Sequence, residues 1–309
     1  MIENTLVSVC VLMHNSSKFI LETLESVKNQ SYLNLELIIC DDASTDASVE
    51  ICENWLNSNK NCFVRTEIFV NEKNKGIAPT RNYIVQQSKG EWIKFLDSDD
   101  ILSPNSIQSY VNTITEETHF VVGNYCSFNE KGETQMMLVD LDFFNSSVEI
   151  QEKRQATKCR ITLPALLLRK KTFLALNGFD ERYPMLEDFP FFKKALENGY
   201  RFDCVNELVI NYRVHSGSIQ RSKAFHRSHV MYVNEVVVPE HKKSGKHILY
   251  WHDKLWSSRE LAKLNGESMK ASLIYCLMLI SDSKEWYYII RDKIYRPLVF
   301  KYRAIKNKT

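Results

Sequence analysis

Glycine is scarce, nine in 309 residues, and no two glycines stand two positions apart. That excludes the G-x-G-x-x-G turn a dehydrogenase needs after its first strand, and the glycine-rich loop of a sugar-nucleotide pyrophosphorylase. Cysteine is present eight times but never as C-x-x-C, and several thiols (Cys10, Cys40, Cys52) lie in apolar runs. This argues against a zinc site or disulfide framework and for a reducing compartment. The longest apolar run, Leu273 to Ile280, is too short to span a bilayer. The opening residues reach a strand by Leu6 without a basic, apolar leader, so a cytoplasmic location is expected. Charge is nearly balanced, 40 basic against 38 acidic residues for a net +2, and nothing in it points to nucleic acid. There is neither an internal repeat nor a low-complexity tract.

What the chain does contain is an alternation of strands and helices. Leu6 to Leu12 is a near-continuous apolar run, as expected of a strand buried on both faces. Ile20, Leu24 and Val27 follow at helical spacing, Leu35 to Cys40 is a second strand, and Val49, Cys52 and Leu56 mark a second helix. A third strand lies within Phe63 to Val70, a helix is expected from Pro79 with Arg81 in its first turn, and Trp92 to Leu96 is a fourth strand. The pattern predicts a mostly parallel α/β sheet with helices on both faces. Further on, Phe120 to Tyr125 reads as a strand, Asn129 to Gly132 as a hairpin turn, Asp140 to Lys158 as a loop or a mobile helix, and Glu187-Asp188 as a helix opening. Past about Phe225 the character turns helical, basic and aromatic.

The Trp92 strand empties into Asp97-Ser98-Asp99-Asp100, and Ser103-Pro104 is expected to start the next helix. Two carboxylates about 4 Å apart repel by roughly 4 kcal/mol in a partly wet cleft. A divalent cation, Mn²⁺ or Mg²⁺, relieves this with one or two carboxylates, water and substrate phosphates. The plainer reading is a solvated acidic turn favoured by the following helix dipole. Ligands of such sheets bind off the carboxyl ends of the strands. Three of these ends are polar here: His14-Asn15, Asp41-Asp42 and Asp97/Asp99.

Val7-Ser8-Val9 leading to Asn15, Leu37 to Asp46, Asn74-Lys75-Gly76 with Arg81-Asn82, Lys89-Gly90-Glu91 into Asp97-Ser98-Asp99-Asp100, and Gly178-Phe179-Asp180 before Glu187-Asp188 occur in this order. Together they resemble family 2 glycosyltransferases of the GT-A fold, over about the first 220 residues. The family's first strand usually ends in Pro-Thr-Tyr-Asn, where this chain has Leu12-Met13-His14-Asn15.

The resemblance implies inverting, metal-dependent transfer of a hexose from a UDP-sugar, UDP-Glc or UDP-Gal, in bacterial polysaccharide assembly of the O-antigen or capsule type. It assigns Asp42 to the base, Asn15 to the nucleotide pocket, Arg81 to the diphosphate or base, and Asp97 to the ribose or a metal-bound water. Asp99 is the expected metal ligand, joined by His215 of the Tyr-Arg-x-His-x-x-Ser pattern, with Asp100 behind them. Asp188 is the expected base that takes the acceptor's proton, and Glu187 sets its charge or touches the acceptor. Each assignment has a structural counterpart: Asp42 as a helix cap, Arg81 as a surface ion pair, His215 as a core histidine, Glu187 and Asp188 as acids favoured at a helix start. A non-catalytic sugar-nucleotide or glycan-binding relic of the same fold is the alternative.

The expected domains are a catalytic one at 1–222, with a donor half at 1–104 and an acceptor half at 105–222, and a helical C-terminal region at 223–309. From Arg291 onward there are seven basic residues and one acid among aromatics. Such a tail suits either peripheral contact with the cytoplasmic face of the inner membrane, where a lipid-diphosphate-linked or oligosaccharide acceptor is found, or docking on the catalytic domain.

Overall fold

The computed structural model describes residues 4–157, 160–183, 185–215, 223–245 and 247–281. The chain divides into two compact units after residue 218. In the first, β1 (Val7–Met13), α1 (Ile20–Lys28), β2 (Leu35–Asp41), α2 (Ser48–Asn59), β3 (Arg65–Val70), α3 (Ile77–Gln87) and β4 (Trp92–Asp97) alternate as the apolar runs require. Strands β3, β2, β1 and β4 lie side by side and parallel. Register then decides where the acids go. Met13 is level with Asp41, and Leu12 with both Cys40 and Asp97. Three polar strand ends therefore share one edge.

Beyond β4 the sheet is mixed. Here follow β5 (Ile101–Leu102), α4 (Ser106–Thr113), β6 (Phe120–Asn129), β7 (Thr134–Met137), α5 (Leu141–Phe144), α6 (Val148–Thr157), β8 (Leu166–Arg169), α7 (Lys170–Ala175), α8 (Asp188–Glu197) and β9 (Asp203–Val214). The strand order is β3-β2-β1-β4-β8-β6-β9-β5, with β7 hairpinned onto β6 through the expected Asn129–Gly132 turn. β8 runs antiparallel to both β4 and β6, and β6 runs parallel to β9. Phe95, Phe173, Phe179 and Phe191 interlock at ring separations of 5.0–6.1 Å and carry the core from β4 to α8. Each fully buried ring contributes about 1.5–3 kcal/mol.

Two boundaries depart from the sequence reading. α3 begins at Ile77, so Arg81 sits in its second turn; Gly76, at φ 89°, takes the cap position that the expected Pro79 start overlooked. α4 begins at Ser106, because Ser103-Pro104 forms a turn in which Ser106 N–H donates to the Ser103 carbonyl at 2.9 Å. Over residues 140–157, where the sequence allows a loop or a helix, the chain forms the two helices α5 and α6. α6 docks through a polar group: the buried Gln151 amide donates to the carbonyls of Phe143, Phe144 and Phe202 and accepts from Phe202 N–H. Hydrophobic periodicity does not register such an anchor.

The Lys89-Gly90-Glu91 motif has a local cause. The Glu36 carboxylate, buried and paired with Arg65, accepts from Lys89 N–H and from the Ser8 hydroxyl, and Ser8 in turn accepts from Gly90 N–H at 2.8 Å. A Cβ on Gly90 would stand 2.6 Å from the Ser8 backbone nitrogen. This turn fixes where β4 begins, and so where its acids end.

The second unit is helical over its described residues: α9 (Lys223–Tyr232), α10 (Val238–Lys243), α11 (His247–Leu264) and α12 (Ser268–Ser281). His229 packs on Trp256 at 4.8 Å, and Ser257 donates to Asn234 at 2.8 Å. No helix among the described residues is long and apolar enough to cross a membrane. The basic, aromatic tail from Arg291 lies outside the described residues, as do Ser216 and Ser218 of the late motif.

Candidate active site

The β1 and β2 ends are stitched together by short polar side chains. Asn15, in the left-handed region at φ 50°, accepts from Thr45 N–H at 2.8 Å, while its own N–H donates to the Ser44 hydroxyl at 2.7 Å. Asp41 receives Ser44 N–H at 2.8 Å in a local turn. Burial works against ionisation of Asp46, but hydrogen bonds from Ser48 and Ser17 hold its carboxyl down at about 2. Asp46, not Asp42, therefore serves the start of α2. Asp42 faces the other way and is buried. Its Oδ1 accepts from Asn71 Nδ2 (2.9 Å) and Lys75 N–H (2.8 Å), its Oδ2 from Gly76 N–H (2.9 Å). It thereby anchors the Asn74-Lys75-Gly76 loop and the N-terminus of α3.

Arg81, on that same helix, is buried and reaches two acids. Nη2 donates to Asp97 Oδ1 at 2.5 Å, at the end of β4, and Nη1 to Glu187, the residue just before α8. Asp97 keeps a side-chain exposure of 34%, enough to face a ligand. Next to Arg81 on α3, Asn82 holds the Gly178-Phe179 turn: its Nδ2 donates to the Phe179 carbonyl at 3.0 Å and its Oδ1 accepts Phe179 N–H at 2.9 Å. Gly178, at φ +61°, is required there, since a Cβ would lie 2.5 Å from Asn82 Oδ1. That turn leads into Glu187-Asp188.

Burial pushes Glu187 up to about 7 against the pull of Arg81, with the charge of Asp188 adding to the rise. Asp188 is raised for the same first reason, although Phe189 N–H donates to its Oδ1 at 2.7 Å. Leu186, just before the pair, and Phe191 and Phe192, just after it, are buried. Arg81 is thus flanked by Asp97, Glu187 and Asp188, whose charges all act to hold it protonated despite its burial.

Across the loop, His215 Nε2 lies 2.8 Å from Asp99 Oδ2. Desolvation and the nearby charge of Asp97 raise the Asp99 carboxyl. Asp100 is fully buried, accepts Arg213 N–H at 2.8 Å, and is pushed well above the usual carboxylate range by burial and by its two neighbouring acids. No group of three or more metal-ligating side chains closes around one point among the described residues. The Asp99–His215 pair offers an oxygen and a nitrogen donor beside excess negative charge, two of the donor types a divalent cation accepts.

The structure places Asn15, Asp42, Asp97, Asp99 and Asp100 at the carboxyl ends of β1, β2 and β4, joins Asp97 to the Glu187-Asp188 pair through Arg81, and sets His215 against Asp99. The sequence reading gives no role to Asn71, or to Asn82 and Arg213 within its motifs, although these hold Asp42, the Gly178 turn and Asp99-Asp100 in place, and none to Lys94. Lys94 is wholly buried, donates to the Phe95 and Pro164 carbonyls, and is pushed down to about 7 by desolvation. Nothing in an apolar strand distinguishes such a lysine beforehand.

A mixed sheet with this ring of acids at one edge is the architecture of a GT-A glycosyltransferase. The family model described as glycosyl transferase family 2 matches residues 8–172, more than half of the chain, and the chain belongs to that family. It is 29% identical over 238 residues to glycosyltransferase GlyG of Streptococcus pneumoniae serotype 4, covering 71% of this chain and 74% of GlyG. It is 31% identical over 219 residues to the UDP-Glc:alpha-D-GlcNAc-diphosphoundecaprenol beta-1,3-glucosyltransferase WfaP of Escherichia coli, covering 71% of this chain and 81% of WfaP. Among solved structures it shares its fold with S. aureus TarS 1–349 in complex with UDP-GlcNAc (TM-score 0.57, 21% identity, 83% of this chain and 71% of the other). It shares it also with the mannosyltransferase PcManGT of Pyrobaculum calidifontis, in complex with GDP-Man and Mn²⁺ (TM-score 0.60, 16% identity, 96% and 84%).

Proposed function

We propose that this glycosyltransferase moves a hexose, glucose foremost, from a UDP-sugar to a polyprenyl-diphosphate-linked saccharide in cell-surface polysaccharide synthesis, inverting the anomeric centre. The observation that carries the reading is Arg81, which binds Asp97 on the donor side and Glu187, next to Asp188, on the acceptor side. Residues 1–104 hold the donor and 105–222 the acceptor. Asp42 favours uracil: its Oδ2 has lone-pair capacity left beyond Gly76 N–H and accepts from the base's N3–H, where cytosine has no hydrogen. Asn15 and His14 line the same pocket. The name of WfaP supports UDP-glucose and a diphosphoundecaprenol acceptor, and the TarS complex supports a uridine donor.

Asp99 and His215 would hold a divalent cation, Mn²⁺ or Mg²⁺, and such an ion would supply positive charge beside the diphosphate. Asp97 orients the ribose. Asp188 takes the acceptor hydroxyl's proton while that oxygen bonds to the sugar's C1, and the bond from C1 to the diphosphate oxygen breaks on the opposite side with its electron pair leaving on UDP. General-base help of this kind is worth about 10²–10⁴ in rate. Glu187 keeps Arg81 beside the base, and Asp100 braces the loop. The basic C-terminal region keeps the enzyme at the cytoplasmic face of the inner membrane, where such an acceptor resides.

The test is transfer from a panel of UDP-sugars to a lipid-diphosphate saccharide with Mn²⁺, by wild type and Asp188→Asn. Wild type is expected to transfer glucose with inversion, and the variant to bind UDP but form no product. Product from Asp188→Asn at the wild-type rate, or a retained anomeric configuration, would refute the reading.

A further inference from the structure

His215 follows β9 directly and Arg213 lies two residues before it, the spacing that sends both side chains to one face of an extended chain. The two grip the same acid at different points. His215 Nε2 meets the Asp99 carboxylate at 2.8 Å, while Arg213 Nε donates to the Asp99 backbone carbonyl at 2.8 Å. Arg213 N–H also donates to Asp100 Oδ1 at 2.8 Å, and its Nη2 reaches Glu22 on α1. The guanidinium is sandwiched between Phe19 and Phe128, 4.7 and 4.6 Å from their ring centres, and Phe19 packs at 5.2 Å on the His215 ring as well. A planar cation, two aromatic faces and two hydrogen bonds to consecutive residues fix the Asp99-Asp100 backbone from behind. His215 meets the carboxylate end of the same residue.

We propose that Arg213 is a positioning residue for cation binding: by holding the Asp99 backbone carbonyl it aims that carboxylate at His215, so that the two side chains would be set to receive a divalent cation. This rests on the metal-dependent reading above. Lysine keeps the charge but has neither the flat fork nor the stacking surface, so Arg213→Lys separates geometry from charge.

The experiment is titration calorimetry of UDP with and without Mn²⁺ on wild type, Arg213→Lys, Phe128→Leu and Phe128→Tyr, with melting temperatures and the KM and kcat for the donor alongside. In Arg213→Lys the gain in UDP affinity on adding Mn²⁺ is expected to shrink by about 10–100-fold, as for outer partners of metal ligands. Binding without metal stays as in wild type, and KM for the donor rises more than kcat falls. Phe128→Leu moves the same way to a smaller extent, and Phe128→Tyr restores wild-type behaviour. Should Arg213→Lys fail to fold, the Phe128 pair decides. An unchanged Mn²⁺ response in Arg213→Lys, or an equal loss of UDP binding with and without metal, overturns the assignment of Arg213 alone. A wild-type protein whose UDP affinity ignores Mn²⁺ overturns the metal reading itself, and this inference with it.

Discussion

Asp97, at the end of β4, and Glu187, just before α8, are held by the two terminal nitrogens of one buried guanidinium, that of Arg81. With Asp188 alongside, three carboxylates surround a single fixed positive charge. Were all three ionised the set would carry an excess of negative charge in a desolvated place, so the group retains a proton more readily than free carboxylates do. On the proposed reading, the donor site and the proton acceptor are therefore coupled through one side chain.

Replacing that side chain exposes the coupling as stability. Arg81→Met leaves Glu187 buried without its partner, and removal of one member of a buried pair costs about 3–5 kcal/mol. The urea midpoint is expected to fall accordingly, with Arg81→Lys in between because it can serve only one of the two acids well. A midpoint within error of wild type for Arg81→Met would mean that the two acids are not held by this residue in solution.

The proton held near Arg81 predicts a pH dependence with a definite sign. Glu187 is raised from 4.5 to about 7, so the native state binds its proton more tightly than the unfolded chain. Its contribution to stability is complete below 4.5 and is lost as pH rises through about 7. Chemical denaturation across this window should show a smaller decline for Glu187→Gln than for wild type. Because Asp188 is raised as well, the acidic limb of kcat/KM against pH is expected above the ordinary carboxylate range.

Loss of the oxygen donor should be felt in nucleotide binding before chemistry. Asp99→Ala is expected to bind UDP no better with Mn²⁺ than without it, and His215→Asn to show a partial loss, both read by calorimetry. Equal Mn²⁺ enhancement in Asp99→Ala and wild type would remove Asp99 from the cation site.

The turn before α8 offers a steric test. In Gly178→Ala a methyl group meets Asn82 Oδ1 at 2.5 Å, and φ of +61° adds the left-handed penalty of about 1–2 kcal/mol. The melting temperature should drop, and transfer should slow because this turn places Glu187 and Asp188. In an Asn82→Ala background the same substitution is expected to cost less, giving a measurable coupling energy.

Much of this was legible in the order of residues. Continuous apolar runs gave away β1, β2 and β4 as buried strands, and the acids after each pointed to a shared edge, since parallel neighbours end at the same level. The mixed half was harder. β8 enters between β4 and β6 as only four residues, too short for any periodicity to announce it. α6 is anchored by Gln151, and the Gly178 turn by Asn82, both polar groups satisfied inside the protein. Arg213 lies in a strand whose exposed and half-buried residues alternate weakly, so its stacking between Phe19 and Phe128 depends on contacts from α1 and the hairpin that no local pattern encodes.

One helix, α3, carries Gly76 at its cap against Asp42, Arg81 between Asp97 and Glu187, and Asn82 under the Gly178 turn. Anyone grafting the second half of a related enzyme onto this chain to change what it glycosylates should therefore cut before residue 76 or carry α3 across with the graft. A seam placed after β4, where the halves look separable, would pair each recipient loop with a brace shaped for another protein.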